Sequence, residues 1–214
     1  MSEPPRYLSR SSLAASSEEL SRSHAELGFI YSRYGIPPLW DRPAGFATLL
    51  HIILEQQVSL ASAKACFDKL AALIGEVEPV NLLELDDGEL KAVGFSRQKT
   101  AYVRNLAEAV IEKRVDLDGL DKLPDAEVKN ELTKLKGVGH WTADIYLLMA
   151  MLRPDVMPRG DLALHVAYQK LTNSETRPGS DEFIEIAEKW RPYRSVAARL
   201  LWHFYLSERQ KPKR

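Results

Sequence analysis

Residues 135–144, Leu-Lys-Gly-Val-Gly-His-Trp-Thr-Ala-Asp, decide the fold of this chain. An amphipathic pattern predicts a helix from Asp125 to Leu135, and an apolar run predicts a more buried helix from Trp141 to Leu152. Gly137 and Gly139 leave room only for a tight turn, and we expect both to adopt unusual backbone angles and to keep side chains out of the way. Backbone N–H groups at the start of the second helix can then bind an anion, which the helix dipole favours.

A glycine turn between two helices also occurs in all-α domains that bind no phosphate, and a short glycine motif alone is weak support for a phosphate site. Here a second motif follows, because residues 157–161 are Met-Pro-Arg-Gly-Asp. The two motifs in this order closely resemble the helix-hairpin-helix (HhH-GPD) DNA glycosylases, in the branch of 3-methyladenine DNA glycosylase II. Residues 53–63, Ile-Leu-Glu-Gln-Gln-Val-Ser-Leu-Ala-Ser-Ala, and residues 94–107 also resemble that branch, so the resemblance extends over roughly residues 40–205.

The resemblance implies which residues contact DNA. In that family the hairpin grips the DNA backbone, and the residue at the position of Gln57 fills the gap left by an extruded nucleotide. Without the resemblance, Gln57 is better explained as a polar residue that satisfies backbone groups at a helix end. The implied DNA-binding residues are Gln57, Lys136, Gly137, Val138, Gly139, His140 and Thr142.

The same resemblance makes Asp161 the catalytic carboxylate. Cleavage of an N-glycosidic bond develops positive charge on the sugar. A nearby carboxylate stabilises this charge and can orient a water for attack on the sugar. From the residues alone, Asp161 is a good N-cap for a helix that begins at Leu162, and the two roles are compatible. Many relatives have two adjacent acids here, whereas this chain has Gly160 before Asp161, so any contribution from the first acid is absent.

Trp141 predicts the type of reaction. In bifunctional relatives this position, two after the second hairpin glycine, is a lysine whose amine attacks the sugar and forms a Schiff base. Tryptophan cannot do so. We therefore expect a monofunctional glycosylase with no lyase activity, which leaves the abasic site uncut.

Aromatic residues predict the substrate preference. N-alkylated purines such as 3-methyladenine and 7-methylguanine carry positive charge and stack well on electron-rich rings. The candidate substrate-pocket residues are Trp141, Trp202 and Tyr193, and Trp202 falls where the family keeps a pocket tryptophan in its last helix. Core packing on the stripe formed by Ala198, Leu201 and Tyr205 explains Trp202 equally well.

Composition limits the remaining classes. The chain has 214 residues, of which 45% are hydrophobic and 28% charged, so it has ample core for one or two globular domains. The single cysteine, Cys66, excludes a disulfide framework and a Cys-rich metal site. We expect a monomeric intracellular protein, in the bacterial cytoplasm or the eukaryotic nucleus, that binds double-stranded DNA with damaged bases and no membrane. The net charge of −1 is low for a DNA-binding protein, but three lysines, Lys129, Lys134 and Lys136, precede the hairpin.

No segment alternates with period two, so we predict an all-α fold of about ten helices. The family architecture implies two lobes with a cleft between them. We predict a flexible N-terminus over residues 1–16 and a discontinuous lobe, residues 17–43 plus 151–214, that contains Asp161. The second lobe, residues 44–150, ends in the hairpin, and one helix is expected from Ser17 to Tyr34.

No cofactor is predicted. The five histidines lack the spacing of a metal-binding pair, so we expect no catalytic metal. Hairpins of this family can hold a sodium or potassium ion through backbone carbonyls, which correspond here to Leu135 and Val138.

The sequence thus predicts a base excision repair glycosylase that flips and excises alkylated purines. Two alternatives stay open. An enzyme of the same fold could act on other lesions, such as ethenoadenine, hypoxanthine or uracil. A non-catalytic helix-hairpin-helix protein could bind DNA without releasing a base.

Overall fold

A computed structural model describes residues 6–210, and every regular element in that range is helical. Twelve α-helices and two short 3-10 helices are present there, so the predicted all-α class is confirmed and the expected number of about ten is slightly low. The α-helices are α1 (Arg10–Ser23), α2 (Ala25–Tyr34), α3 (Phe46–Glu55), α4 (Leu60–Ile74), α5 (Pro79–Glu84), α6 (Asp87–Ala92), α7 (Arg97–Ile111), α8 (Asp125–Thr133), α9 (His140–Met149), α10 (Leu162–Thr172), α11 (Ser180–Ala187) and α12 (Arg194–Gln210). None of these helices is long and apolar enough to cross a bilayer.

The chain forms two compact units. The discontinuous unit comprises Met1–Asp41 and Leu147–Arg214, and the continuous unit comprises Arg42–Tyr146. The units meet between residues 41 and 42 and between residues 146 and 147, whereas we predicted boundaries after residues 43 and 150. The observed boundary after residue 146 falls within α9.

The N-terminal segment is more ordered than predicted. Residues 1–5 lie outside the described range, but α1 begins at Arg10, within the stretch expected to be flexible. Ser9 caps this helix, since its hydroxyl accepts a hydrogen bond from the Ser12 N–H at 3.1 Å, and Leu13 is buried. The single helix expected from Ser17 to Tyr34 is instead two helices, because His24 is extended at φ −134°. The serines therefore cap a helix rather than form a flexible tail.

In the discontinuous unit, α12 packs against α1, α2 and α10. Three aromatic rings, Tyr168, Phe183 and Trp190, meet edge to face in its core at centroid distances of 5.7 to 6.1 Å. Such a cluster contributes stability beyond its buried area. It holds α10 and α11 against the 3-10 helix Glu188–Trp190, which precedes α12, the helix that contains Trp202.

In the continuous unit, α3 is almost entirely buried and packs against α4 and α7. An ion pair links the two helices of the hairpin: Lys129 Nζ of α8 lies 2.5 Å from Asp144 Oδ1 of α9, whose side chain is only 3% exposed. Because a buried carboxylate needs a partner of opposite charge, this contact fixes the two helices relative to each other.

Candidate functional site

The hairpin between α8 and α9 depends on one glycine, not two. The Val138 N–H donates to the Leu135 carbonyl at 3.1 Å and closes the turn. Gly137 has φ +87°, a left-handed conformation that side chains other than glycine rarely adopt. Gly139 lies outside that region, so the expectation that both glycines adopt unusual angles is wrong for Gly139.

The space around the two glycines differs in the same way. A Cβ atom on Gly137 would lie 2.2 Å from Cγ of Tyr102 in α7, so the aromatic ring already fills this position. A Cβ atom on Gly139 would meet nothing within 4 Å. Gly137 therefore serves the internal packing of the hairpin, and Gly139 leaves an open approach to the N-terminus of α9.

The side chains predicted to bind DNA separate into exposed and buried groups. Lys136, Gly139 and His140 are exposed, whereas Val138 is 5% exposed and Thr142 is 1% exposed. The Thr142 hydroxyl accepts a hydrogen bond from Gln56 at 2.9 Å, so this side chain supports the hairpin. Thr142 can offer its backbone N–H to a ligand, since the first N–H groups of an α-helix have no acceptor within the helix. The Val138 N–H already donates to the Leu135 carbonyl.

Gln56 is a structural residue of the hairpin that the sequence did not reveal. Its Nε2 donates to the Gly137 carbonyl at 2.8 Å as well as to Thr142. The neighbouring Gln57 is exposed at φ +58°. Lys99 Nζ also donates to the Leu54 carbonyl at 2.5 Å, at the C-terminal end of α3. These bonds tie the loop that presents Gln57 to the hairpin and to α7.

Two of the three lysines near the hairpin have carboxylate partners. Lys129 pairs with Asp144, and Lys134 pairs with Glu131 at 2.7 Å. Lys136 is exposed, and its backbone N–H donates to the side chain of Asn105 in α7. The positive charge expected on the approach to the hairpin is therefore reduced, and Lys136 is the strongest of the three candidates for a phosphate contact.

Asp161 combines the two roles that the sequence left open. Its Oδ1 accepts a hydrogen bond from the Leu164 N–H at 3.1 Å, so Asp161 is the N-cap of α10. The same oxygen accepts a second hydrogen bond from Nε1 of Trp202 at 3.2 Å. Both side chains are 8% exposed. The carboxylate is thus held in one position by a helix and by an indole.

Trp202 contacts a second indole that the sequence analysis did not assign to the site. The rings of Trp40 and Trp202 meet edge to face, with centroids 6.3 Å apart and an interplanar angle of 78°. Asp161, Trp202 and Trp40 together are called the Asp161 cluster below. Trp40 lies in a loop without helical periodicity, so no sequence pattern pointed to it.

His165 lies one turn after Asp161, with its ring 4.7 Å from that of Phe183. Burial lowers the pKa of His165, and the charge of Asp161 partly opposes this effect. Its Nε2 has no hydrogen-bond partner among the described residues. The ring is therefore a neutral packing element beside the carboxylate at neutral pH.

Tyr193 and Trp141 are the other two predicted pocket residues. Tyr193 is 4% exposed in the turn before α12, where its N–H donates to the Trp190 carbonyl. Trp141 is half-buried in the first turn of α9, in the continuous unit. Among residues 6–210, no group of three or more His, Cys, Asp or Glu side chains is placed to hold a metal ion.

Comparison with known proteins gives a family and several relatives. A family profile described as "HhH-GPD superfamily base excision DNA repair protein" matches residues 50–192. A Bacillus subtilis protein named as a candidate DNA-3-methyladenine glycosylase is 25% identical over 188 residues, which is 84% of this chain and 66% of the relative. The alignment thus spans about two thirds of that relative's length.

Solved structures agree on the fold. A Bacillus halodurans DNA-3-methyladenine glycosidase superposes with a TM-score of 0.77 at 28% identity, over 97% of this chain and 95% of that one. The Schizosaccharomyces pombe 3-methyladenine DNA glycosylase in complex with abasic DNA superposes with a TM-score of 0.82 at 23% identity, over 93% of this chain and all (100%) of that one.

Proposed function

The chain belongs to the HhH-GPD superfamily of base excision DNA repair proteins, and we propose that it is a monofunctional DNA glycosylase for alkylated purines. It extrudes a damaged base from double-stranded DNA and hydrolyses the N-glycosidic bond. The products are the free base and an abasic site. The relatives named as 3-methyladenine DNA glycosylases support this substrate class.

The hydrogen bond from Trp202 to Asp161 is the observation that supports the proposal best. Positive charge develops on the sugar as the base departs, and a carboxylate fixed nearby stabilises it without first having to reorganise. Asp161 is fixed by the Leu164 N–H and by the indole N–H. The carboxylate then orients a water that attacks the anomeric carbon.

Alkylated purines suit a site with this composition. Alkylation at N3 or N7 places a positive charge on the base, so the base leaves readily and needs no strong general acid. The Trp202 ring lies directly beside the carboxylate and can stack on a cationic base. Extrusion costs a few kcal/mol, and least for damaged bases that pair weakly.

Trp141 supports hydrolysis without strand cleavage. The residue lies in the first turn of α9, at the position where bifunctional relatives have their lysine nucleophile. An indole forms no Schiff base. Borohydride treatment during turnover should trap no covalent protein–DNA adduct, and a trapped adduct would contradict the monofunctional assignment.

DNA contacts are assigned to the continuous unit. Gln57 fills the gap left by the extruded nucleotide, and backbone N–H groups from Gly139 to Thr142 bind a phosphate at the N-terminus of α9. Lys136 adds a single side-chain contact to the backbone. One chain contains all of these groups, so the protein acts as a monomer.

A monovalent cation is part of the proposal for the hairpin. The carbonyls of Leu135 and Val138 would hold a sodium or potassium ion, which accepts neutral oxygen ligands. The Leu135 carbonyl already accepts one hydrogen bond, from the Val138 N–H, and a carbonyl oxygen has a second lone pair. A bound ion would raise the unfolding temperature in potassium chloride relative to choline chloride at equal ionic strength.

The test is base release from alkylated duplex DNA by the wild type and by Asp161→Asn. Asparagine is as good an N-cap as aspartate, so the variant keeps the cap of α10 and loses only the negative charge. We expect release of 7-methylguanine to fall by a factor of about 100 to 1000 while DNA binding is retained. Hypoxanthine and uracil duplexes run alongside define the lesion range. Binding without release from any duplex would show that the fold serves only to bind DNA.

A further inference from the structure

The turn between α3 and α4 holds Gln57 in a backbone conformation that is unusual for a residue with a side chain. Gln56 has φ −60° and ψ 123°, and Gln57 has φ +58°, as in a type II β-turn. The Val58 N–H donates to the Glu55 carbonyl at 3.5 Å and closes the turn. Glycine is favoured at the second central position, because φ there is positive. A glutamine in this place is strained, and such strain persists only where the surrounding structure enforces it.

The helix before this turn has an unfavourable charge at its C-terminal end. Helix α3 ends in Glu55, and no basic residue lies in its last turn. A helix C-terminus carries partial negative charge, so a carboxylate there is destabilising and a cation is stabilising. The side chain of Glu55 is only 5% exposed, so water does little to screen its charge. The compensating positive charge comes from other segments of the continuous unit.

Two cations from elsewhere in the chain contact this end of α3. Lys99, in the first turn of α7, donates from Nζ to the Leu54 carbonyl at 2.5 Å. Arg42, in the loop before α3, donates from Nη2 to Oε1 of Glu55 at 2.7 Å. The last carbonyls of an α-helix have no N–H partner within the helix, and the Leu54 carbonyl is one of them. Lys99 therefore fixes the main chain itself, three residues before Gln57.

We infer that Lys99 is a positioning residue for base extrusion: it holds the end of α3 so that the strained turn presents Gln57 to the DNA. This inference rests on the proposed function and deepens it. Without the ammonium group, the last turn of α3 loses its cation and its carbonyl loses a donor, so Gln57 can relax to a negative φ. Each extrusion would then carry the additional cost of bringing Gln57 back into place.

A double-mutant cycle on single-turnover release of 7-methylguanine from duplex DNA tests the inference. The cycle combines Lys99→Met with Gln57→Ala, and rates are measured at saturating enzyme, at a temperature below the unfolding midpoint of every variant. We expect Lys99→Met to slow release about tenfold. In the Gln57→Ala background the same substitution should change the rate less than about twofold, because the side chain that Lys99 positions is already absent.

Further variants separate positioning from loss of charge and from loss of fold. Lys99→Arg keeps a cationic donor and should release the base within about threefold of the wild-type rate. Lys91→Met removes one positive charge from the exposed surface of α6 and should leave the rate within about twofold of the wild type. If Lys99→Met is unfolded at the assay temperature, Lys99→Gln, which keeps an N–H donor and lacks the charge, replaces it in the cycle.

Three results would overturn the inference. Equal losses from Lys99→Met with and without the Gln57 side chain would mean that Lys99 only supports the fold. A loss in Lys91→Met as large as that in Lys99→Met would assign the effect to net charge. A Lys99→Arg rate as low as that of Lys99→Met would show that the cationic donor is not what matters.

Failure of the proposed function would be seen separately, since the wild type would then release no base. The cycle is in that case repeated on extrusion alone, measured by the fluorescence of 2-aminopurine placed beside the lesion. A loss of extrusion in Lys99→Met that disappears in the Gln57→Ala background would support the inference, and any other pattern would overturn it.

Discussion

The hairpin of the continuous unit offers a ligand mainly backbone groups, whereas the Asp161 cluster of the discontinuous unit offers side chains. At the hairpin, three side chains from outside the turn support the main chain. Tyr102 fills the space over Gly137, and Gln56 donates to the Gly137 carbonyl. The side chain of Asn105 accepts a hydrogen bond from the Lys136 N–H. At the cluster, the Leu164 N–H and the Trp202 indole hold Asp161, and the side chain of Arg199 holds the Leu39 carbonyl just before Trp40.

The two regions should therefore respond differently to substitution. Substitutions at the hairpin should damage the fold wherever a supporting contact is lost and damage binding only at the exposed positions. Substitutions in the cluster should change the chemistry while the backbone stays in place. Paired variants within each region, one internal and one exposed, can break or sharpen the comparison.

The largest effect on stability is expected from Gly137→Ala, with Gly139→Ala as its matched control. The new Cβ at position 137 combines a left-handed backbone with a 2.2 Å approach to Tyr102, so we expect a loss of about 3 kcal/mol in the free energy of unfolding. Gly139→Ala should have a free energy of unfolding within about 0.5 kcal/mol of the wild type. It should nevertheless bind duplex DNA several-fold more weakly. Urea unfolding and fluorescence anisotropy measure the two properties. Unchanged DNA binding in Gly139→Ala would mean that no ligand uses the open space.

The lysines before the hairpin give the second pair. Lys129→Met removes the partner of a buried carboxylate and should cost about 2 kcal/mol, below the range for fully buried pairs because Lys129 is 34% exposed. Lys136→Met should leave stability within about 0.5 kcal/mol and lower the slope of log Kd against log salt by about one. If Lys129→Met is as stable as the wild type and loses a unit of salt slope, Lys129 contacts DNA and the assignment of the two lysines is reversed.

Local patterns predicted the hairpin well because helix periodicity and glycine spacing are local properties. The two helices, the turn and the cap at Asp161 all follow from neighbours within a few positions in the chain. The angle of Gly139 was mistaken because a Gly-Val-Gly turn can place either glycine in the left-handed region. At Gly137, the ring of Tyr102 from a distant part of the chain occupies the space that a Cβ would need, and no local pattern shows this contact.

Supporting contacts between distant segments were not predictable. Gln56 and Gly137 are 81 residues apart, and Arg199 and Leu39 are 160 apart, so no window along the chain relates them. The second of these contacts holds the residue before Trp40. The N-terminal helix, in contrast, had an available signal: Leu13 and Leu20 lie on one helical face after the cap at Ser9.

The two glutamines at the end of α3 form the third pair. Gln56→Met removes two hydrogen bonds to the hairpin and should cost about 1 to 2 kcal/mol in stability. Gln57→Ala changes an exposed side chain, so its unfolding should match that of the wild type within about 0.5 kcal/mol. Its defect should appear in base extrusion, measured as reduced fluorescence of 2-aminopurine placed beside the lesion. Normal extrusion by Gln57→Ala would contradict the proposal that Gln57 fills the gap left by the extruded nucleotide.

The smallest effect concerns pH and the buried His165, one turn after Asp161. Burial lowers the pKa of His165 below its ordinary value near 6.5. At a pH between the lowered pKa and the ordinary pKa, the unfolded chain binds a proton at this residue and the folded chain does not. Stability should therefore fall as the pH drops below about 6.5. The contribution should be a few tenths of a kcal/mol per pH unit, under the limit of about 1.4 for one proton.

His165→Gln should make this dependence shallower. Burial also lowers the pKa values of His51 and His203, so part of the slope will remain in the variant. Urea midpoints at pH 7, 6 and 5 provide the measurement. His165 contributes to the slope because protonation in the folded chain would turn its Nε2, which has no hydrogen-bond partner among the described residues, into a buried N–H donor with no acceptor. A slope in His165→Gln equal to that of the wild type would mean that the ring accepts its proton in the fold, next to Asp161, and that the cluster tolerates a second charge.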